Sequence, residues 1–364
     1  FSRKCKNTMQ EITIQRTTHP KQKPADESKL GFGSVFTDHM FLMDYKTGEG
    51  WINPRIVPYG PIELDPAAMC LHYGQEIFEG MKAYRADDGR ILLFRPEENF
   101  KRMNASNERL CIPQVDVEFC VHAVSELVKL EKDWVPHIKD TSLYIRPFVF
   151  ATDAHLGVRA GDEYTFAIIL APSGPYYAEG LKPVKIYVEH KWARAVKGGT
   201  GMAKAAGNYA TSLIAQVEAH DQGYSQVLWL DGAQKKYIEE VGAMNIFFKI
   251  GDEIVTPMLS GSILPGITRK SVLELLRSLG YTATERLIPM QELVDAYNAG
   301  NLKEVFGTGT AAVISPVGTL KYDDLVMTIN NGEIGPVSQM LYDKLTGIQW
   351  GREPDTFGWT REVK

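Results

Sequence analysis

Between Ala171 and Pro183 the chain carries Pro172, Gly174, Pro175, Gly180 and Pro183. Proline removes a backbone donor and fixes φ, and glycine raises the entropic cost of order, so regular structure does not run through such a stretch. The segment therefore reads as an interdomain linker over residues 174–183. A chain of 364 residues is also long for one compact core, which makes two domains the natural expectation. The reading that follows is a flexible N-terminal arm over 1–29, a small N-terminal domain over 30–173, the linker, and a large domain over 184–364.

Periodicity fills in those domains. Short apolar runs ending in turn residues predict strands over 36–45 and 90–94, and buried strands over 142–151 and 164–170. Helical spacing predicts helices over 97–110 and 116–130, with Phe119, Val124, Leu127 and Val128 on one face. Beyond the linker come strands over 184–188, 226–230, 245–249 and 253–256, and helices over 208–220, 269–279 and 290–299. Strands and helices mix without strict alternation, which favours an α+β chain in two domains over a doubly wound sheet.

Several function classes drop out. A formal net charge of -5 gives no electrostatic case for nucleic acid or an anionic membrane surface. The longest apolar stretch, around 166–172, has the length of a buried strand and not of a membrane span. Cys5, Cys70, Cys111 and Cys120 are scattered, with no Cys-x-x-Cys and no histidine at zinc spacing. They read as free thiols in a reducing compartment, the cytoplasm, with no metal expected. The Lys/Pro-rich stretch over 17–29 reads as an extended, poorly ordered lead-in. Residues 1–8 are basic and read as an appended remnant or the tail of a longer leader, too short and polar for a signal peptide.

Chemistry concentrates in four places. Residues 197–209 read Lys-Gly-Gly-Thr-Gly-Met-Ala-Lys-Ala-Ala-Gly-Asn-Tyr. Ala203 and Ala205 flank Lys204 and leave no Ser/Thr for magnesium, so this is not a nucleotide P-loop. It is either a glycine-rich turn with a solvated lysine, or a lysine desolvated by small apolar neighbours and fit to form a Schiff base. Glu239 and Glu240 precede a strongly apolar strand; they suit a solvated turn, or the carboxylate that keeps a pyridine ring protonated. Residues 261–269 turn into a helix starting near Lys270, either plainly capped, with Thr268 as N-cap, or an anion site. The glycine pair within 306–316 allows a ligand to approach closely, or forms a simple turn.

Taken in order, the segments closely resemble the branched-chain aminotransferases of the fold-type IV pyridoxal enzymes. The likeness runs from about Phe32 to Trp359. It is carried by Phe-Gly-Ser-Val-Phe-Thr-Asp-His-Met (32–40), Leu-His-Tyr-Gly-Gln-Glu-Ile-Phe-Glu-Gly (71–80), Tyr-Ile-Arg-Pro (144–147) and Lys-Ala-Ala-Gly-Asn-Tyr (204–209). Glu-Val-Gly-Ala-Met-Asn (240–245), Leu-Pro-Gly-Ile-Thr-Arg (264–269) and Gly-Thr-Gly-Thr-Ala (307–311) complete it.

The resemblance implies a smaller N-terminal α/β sandwich, a larger C-terminal pseudo-barrel, and pyridoxal 5'-phosphate bound as a Schiff base to Lys204. It selects Glu240 as partner of the pyridine nitrogen and Tyr209 as partner of the phenolic oxygen. Arg102, the backbone N–H groups of Ile267 and Thr268, and Thr310 would hold the phosphate. Phe32, Phe78, Tyr144 and Tyr209 would wall the aliphatic side chain, with Ala243 nearby. Tyr73, Tyr144 and Arg146 would serve the glutamate carboxylate, and Thr310 and Ala311 the α-carboxylate. In the family Tyr73, Leu156 and Val158 reach the site from the partner subunit, which implies a homodimer. The implied reaction moves the amino group of leucine, isoleucine or valine to 2-oxoglutarate in two ping-pong halves.

Two departures stand out. Where mammalian members carry a redox Cys-x-x-Cys, this chain has Ala312 and Ser315, so no such thiol switch is expected. Ala243 replaces a common Thr or Ser, which removes a hydroxyl beside the substrate. The competing readings are another enzyme on the same scaffold, such as a D-amino-acid aminotransferase, and a cofactor-binding regulatory protein without catalysis.

Overall fold

The computed structural model describes residues 10–176 and 181–364. The chain forms two compact units, one running up to Gly174 and including Trp359–Lys364, the other spanning Pro175–Gly358. The boundary falls inside the predicted linker, of which residues 177–180 lie outside the described residues, as do residues 1–8. Gly174 is sterically required: a Cβ there would stand 2.0 Å from the Leu30 carbonyl oxygen.

The first unit is a nine-stranded sheet with helices packed on it. Its strands run in the spatial order Thr13–Ile14, Gly50–Pro58, His39–Lys46, Glu163–Ser173, Ser142–Ala151, Met81–Arg85, Ile91–Phe94 and Thr360–Glu362. Glu76–Phe78 adds to Ser142–Ala151. The helices Pro96–Arg109 and Val117–Leu130 follow the sequence reading closely. The Asp116 carboxylate accepts the Phe119 N–H at 2.7 Å and so fixes the start of the second helix. Phe119, Val124, Leu127 and Val128 are all buried, in a core that also holds Phe41, Phe100 and Phe166.

Two sequence expectations change here. The arm is not a loose lead-in, because its backbone finds partners. Thr13–Ile14 pairs in parallel with Arg55–Ile56, the Thr17 N–H donates to His39 Nε2 at 2.9 Å, and the Lys21 N–H donates to Asp38 Oδ1 at 2.7 Å. A composition that predicts flexibility is overruled by these tertiary bonds. Nor does the second domain run to the C-terminus. Thr360–Glu362 pairs antiparallel with Leu92–Phe94, and Arg361 Nη1 meets Glu97 Oε1 at 2.5 Å. Three polar residues carry no strand periodicity, so only the partner strand defines them.

In the second unit six strands close into a barrel. The ring runs Ile238–Val241, Gln226–Leu230, Val184–Glu189, Val313–Tyr322, Leu302–Gly309 and Met244–Ile250, and the last pairs back with the first through Glu240 and Asn245. Val184–Glu189 is parallel to both neighbours while the other pairs in the ring are antiparallel, which gives the expected α+β pseudo-barrel. Ile186, Leu228, Ile246 and Phe248 belong to its core. The helix predicted over 208–220 breaks at residues 211–212 into Ala206–Ala210 and Leu213–Asp221. The second of these lays Ala215 and Ala219 on Val227 and Trp229. Among the described residues no helix is long and apolar enough to cross a membrane.

Candidate active site

In the second unit the loop holding Lys204 is pinned from inside. The buried Asn208 amide donates to the carbonyls of Thr200 and Ala203, both at 2.8 Å, and its oxygen accepts from Thr200 Oγ1 at 2.6 Å. Gly201 lies against the Ser262 carbonyl oxygen, where a Cβ would come within 2.2 Å. Ala203 and Ala205 are buried, so the lysine emerges between two fixed points with an apolar base. Its amine stands 2.9 Å from Tyr209 Oη. Tyr209 and Glu240 line one cavity together with Arg194, Ala203, Ala243 and Leu264.

Glu239 and Glu240 are not in a solvated turn. Both are buried on the Ile238–Val241 strand, whose alternation sends them to opposite faces. Glu240 reaches the cavity, where Oε1 accepts the Leu264 N–H at 3.1 Å and the Asn245 amide at 3.2 Å. Oε2 meets Arg194 Nη2 at 2.7 Å. Burial is the main influence and pushes the Glu240 carboxyl up to about 7, against the opposing pull of Arg194, the Leu264 N–H and Lys204. Glu239 accepts from the Ser262 hydroxyl.

Past Leu264 the chain turns into the helix Ile267–Ser278. The helix starts two residues earlier than its periodicity suggested, so Thr268 is not the N-cap. Gly266 occupies that position and no side chain caps the end, which leaves the first-turn N–H groups, those of Ile267 and Thr268 among them, aimed at whatever lies beyond. Gly266 has no room for a side chain, since a Cβ would meet Asn245 Oδ1 at 2.0 Å. Thr310 and Ala311 sit in the turn between Leu302–Gly309 and Val313–Tyr322. The glycines before that turn make room for Met244, whose side chain lies 3.1–3.2 Å from the Cβ positions of Gly307 and Gly309, and so they serve packing within the chain.

The remaining predicted residues belong to the first unit. Tyr144 meets Phe32 edge-on, with ring centroids 4.9 Å apart, and its hydroxyl accepts from Arg146 Nη2 at 3.1 Å. The Arg146 guanidinium lies 4.6 Å above the Phe78 ring. Gly80 provides the space for Tyr144, because a Cβ would come 2.2 Å from its hydroxyl oxygen. Arg102 is buried and doubly bonded to the fully buried Glu79, through Nε and Nη2, each at 2.8 Å. Tyr73, Leu156 and Val158 are exposed on this unit, and the Tyr73 hydroxyl donates to the Leu156 carbonyl.

Arg194, Asn245 and Glu79 were not singled out from the sequence. Asn245 and Glu79 stood inside quoted motifs without a role. Arg194 lies among His190, Lys191 and Lys197, a run that looks like a solvated basic surface. Only its burial distinguishes it.

A half-buried amine in a pinned loop, a tyrosine beside it, a buried carboxylate and an uncapped helix start are the parts a pyridoxal phosphate demands. The donor set fits that group: carboxylate for a pyridinium, phenol for a phenolic oxygen, helix N–H groups for a phosphate. Residues 76–320 match the amino-transferase class IV family. The chain belongs to that family. It is 59% identical over 356 residues to the branched-chain-amino-acid aminotransferase 2 of Bacillus subtilis, covering 98% of each chain. The branched-chain amino acid aminotransferase of Escherichia coli superposes with a TM-score of 0.74 at 28% identity, over 90% of this chain and 99% of that one. The branched-chain amino acid aminotransferase of T.th., complexed with N-(5'-phosphopyridoxyl)-L-glutamate, does so with a TM-score of 0.71 at 28% identity, over 88% and 98%. Within the class IV aminotransferases the chain falls among the branched-chain-amino-acid aminotransferases.

Proposed function

We propose that the chain transfers the amino group of L-leucine, L-isoleucine or L-valine to 2-oxoglutarate, reversibly and in two half-reactions, with Lys204 holding pyridoxal 5'-phosphate. The observation that carries this is Lys204 in a pinned loop beside Tyr209, in a site whose other polar wall is Glu240. The names of its relatives support the substrate class, and the glutamate conjugate bound to one of them supports the second substrate.

When bound, the cofactor supplies an electron sink for the bond being broken at Cα. Lys204 Nζ would hold it covalently, and the same amine is the base placed to move the Cα proton. The Tyr209 hydroxyl is the donor to the phenolic oxygen, and the Glu240 carboxylate meets the ring nitrogen. Ile267 and Thr268 N–H groups, Thr310 and Arg102 are assigned to the phosphate. Phe32, Phe78, Tyr144 and Tyr209 exclude water around an aliphatic side chain, with Ala243 beside them, while Tyr73, Tyr144 and Arg146 receive the glutamate carboxylate. Thr310 and Ala311 take the α-carboxylate.

The working form is a cytoplasmic homodimer in which Tyr73, Leu156 and Val158 serve the partner's site. Two observations support the dimer: those three side chains are exposed, and so are Leu213, Ile214 and Val217 on the Leu213–Asp221 helix, apolar side chains that a partner could cover. Scattered free cysteines support the compartment.

The test is a visible spectrum of purified protein with pyridoxal phosphate, before and after L-isoleucine alone, followed by assays with 2-oxoglutarate. The cofactor band is expected to change with L-isoleucine, and Lys204→Ala to abolish turnover. Turnover of D-alanine alone would place the chain elsewhere on the same scaffold. An unchanged band with every amino acid would make it a binding protein without catalysis.

A further inference from the structure

Among the described residues that line the cavity, Arg194 is the one cationic side chain, and it contacts Glu240 directly. Arg194 is buried, with its Nη2 2.7 Å from Glu240 Oε2. The same nitrogen donates to the Ser262 carbonyl, the oxygen against which Gly201 of the lysine loop is packed. One guanidinium therefore ties together the strand carrying Glu240, the turn leading to the helix Ile267–Ser278, and the loop carrying Lys204. Its Nε has no hydrogen-bond partner among the described residues.

We propose that Arg194 is a positioning residue for the transamination: it fixes the Glu240 carboxylate toward the cavity and favours its anionic form, so that the ring nitrogen of the cofactor meets a charge. This rests on Glu240 being the partner of that nitrogen. The physical reason is the balance of burial against charge. An isolated buried carboxylate takes up a proton near neutrality, and a proton on the carboxylate is a proton withheld from the ring. The ionisable groups acting on Glu240 are Arg194 and Lys204, which favour its charge, and Glu239, which opposes it. Asp231 and Lys235 act in turn on Glu239. With Lys204 committed to the cofactor, Arg194 would be the contact that offsets burial and Glu239. The Leu264 N–H and the Asn245 amide donate to Oε1 and orient the carboxylate, and the Leu264 N–H adds to the pull toward the anion, less strongly than Arg194.

The experiment measures pyridoxal phosphate binding to cofactor-free protein by fluorescence quenching across a pH series, for wild type, R194M, R194Q, R194K and E240Q. Each variant is referred to wild type at the same pH, which cancels the titration of Lys204 common to all. R194M is expected to bind about tenfold more weakly near about pH 6.5, with the deficit shrinking toward about pH 9 as the carboxylate ionises unaided. R194Q repeats this with a neutral hydrogen-bonding side chain, which serves if R194M does not fold. R194K, which keeps the charge and loses the fork, is expected to restore the wild-type pH profile at a constant few-fold deficit. In 13C-glutamate NMR of the cofactor-free protein, the signal absent from E240Q is expected to titrate higher in R194Q than in wild type. Wild-type affinity in the neutral variants, or a deficit independent of pH, overturns the proposal while E240Q remains impaired. An E240Q protein that binds and turns over like wild type removes the role of Glu240, and the proposal with it.

Discussion

Lys204 Nζ and Tyr209 Oη stand 2.9 Å apart although their residues belong to different elements, a loop and the short helix Ala206–Ala210. The contact exists because Asn208 staples the loop to the start of that helix at Thr200 and Ala203. The phenol thus stands beside the amine through contacts within the chain. Tyr209→Phe keeps the ring and removes the donor, so the cofactor is expected to stay bound while its visible band shifts. The lost bond is worth about 1 kcal/mol, and kcat should fall about fivefold. Absorbance spectra and steady-state kinetics check both parts; a variant with an unmoved band would sink the assignment of Tyr209 to the phenolic oxygen.

Glu240 sets a pH dependence that can be read without catalysis. Its carboxyl lies at about 7 in the folded, cofactor-free protein because burial favours the neutral form. A carboxyl raised on folding contributes stability that is complete below its unfolded value, about 4.3, and is lost as pH rises through about 7. Cofactor-free wild type should lose up to about 4 kcal/mol from this group across that window. Glu240→Gln should remove that slope and also lower kcat on the order of 10²-fold. Urea denaturation of both proteins between those pH values tests it, and parallel stability profiles would refute it.

Gly266→Ala forces a methyl group against Asn245 Oδ1, the side chain whose amide bonds both Glu240 and the Leu264 carbonyl. The expected result is a loss of about 1–3 kcal/mol in stability together with weaker cofactor binding. Thermal melts and cofactor titrations should move together. Weakened melting with unchanged cofactor affinity would show that the helix start plays no part in binding.

A second glycine separates substrate from cofactor. Gly80→Ala would drive Tyr144 from its place, breaking the bond from Arg146 and the contact with Phe32. KM for branched-chain substrates should rise roughly tenfold, with the cofactor spectrum unchanged. A rise in the cofactor's Kd with KM unchanged would reverse the assignment of this cluster.

Much of the architecture was legible in local pattern. Ser142–Ala151 and Gln226–Leu230 fall where their apolar runs place them, because a buried strand's side chains are chosen by the two faces they fill. The barrel's closure was not legible, since the pairing of Glu240 with Asn245 depends on the short turn between two strands and on four strands elsewhere. The anchoring of the arm and the return of Thr360–Glu362 escaped for the same reason: short polar segments have no periodicity, and their order comes from partners distant in sequence.

The sequence by itself determined the chemistry available: a lysine between alanines, acids before an apolar strand, a glycine turn into a helix, and the order of motifs that marks the family. Those are properties of local residue type and spacing. The tertiary structure decided which acid faces the cavity, that Thr268 is not a cap, that Gly307 and Gly309 make room for Met244, and that Arg194 is a buried partner of Glu240 and not a surface charge. Burial and direction belong to no single residue. They arise only when strands far apart in the chain close on one another and set what each side chain meets.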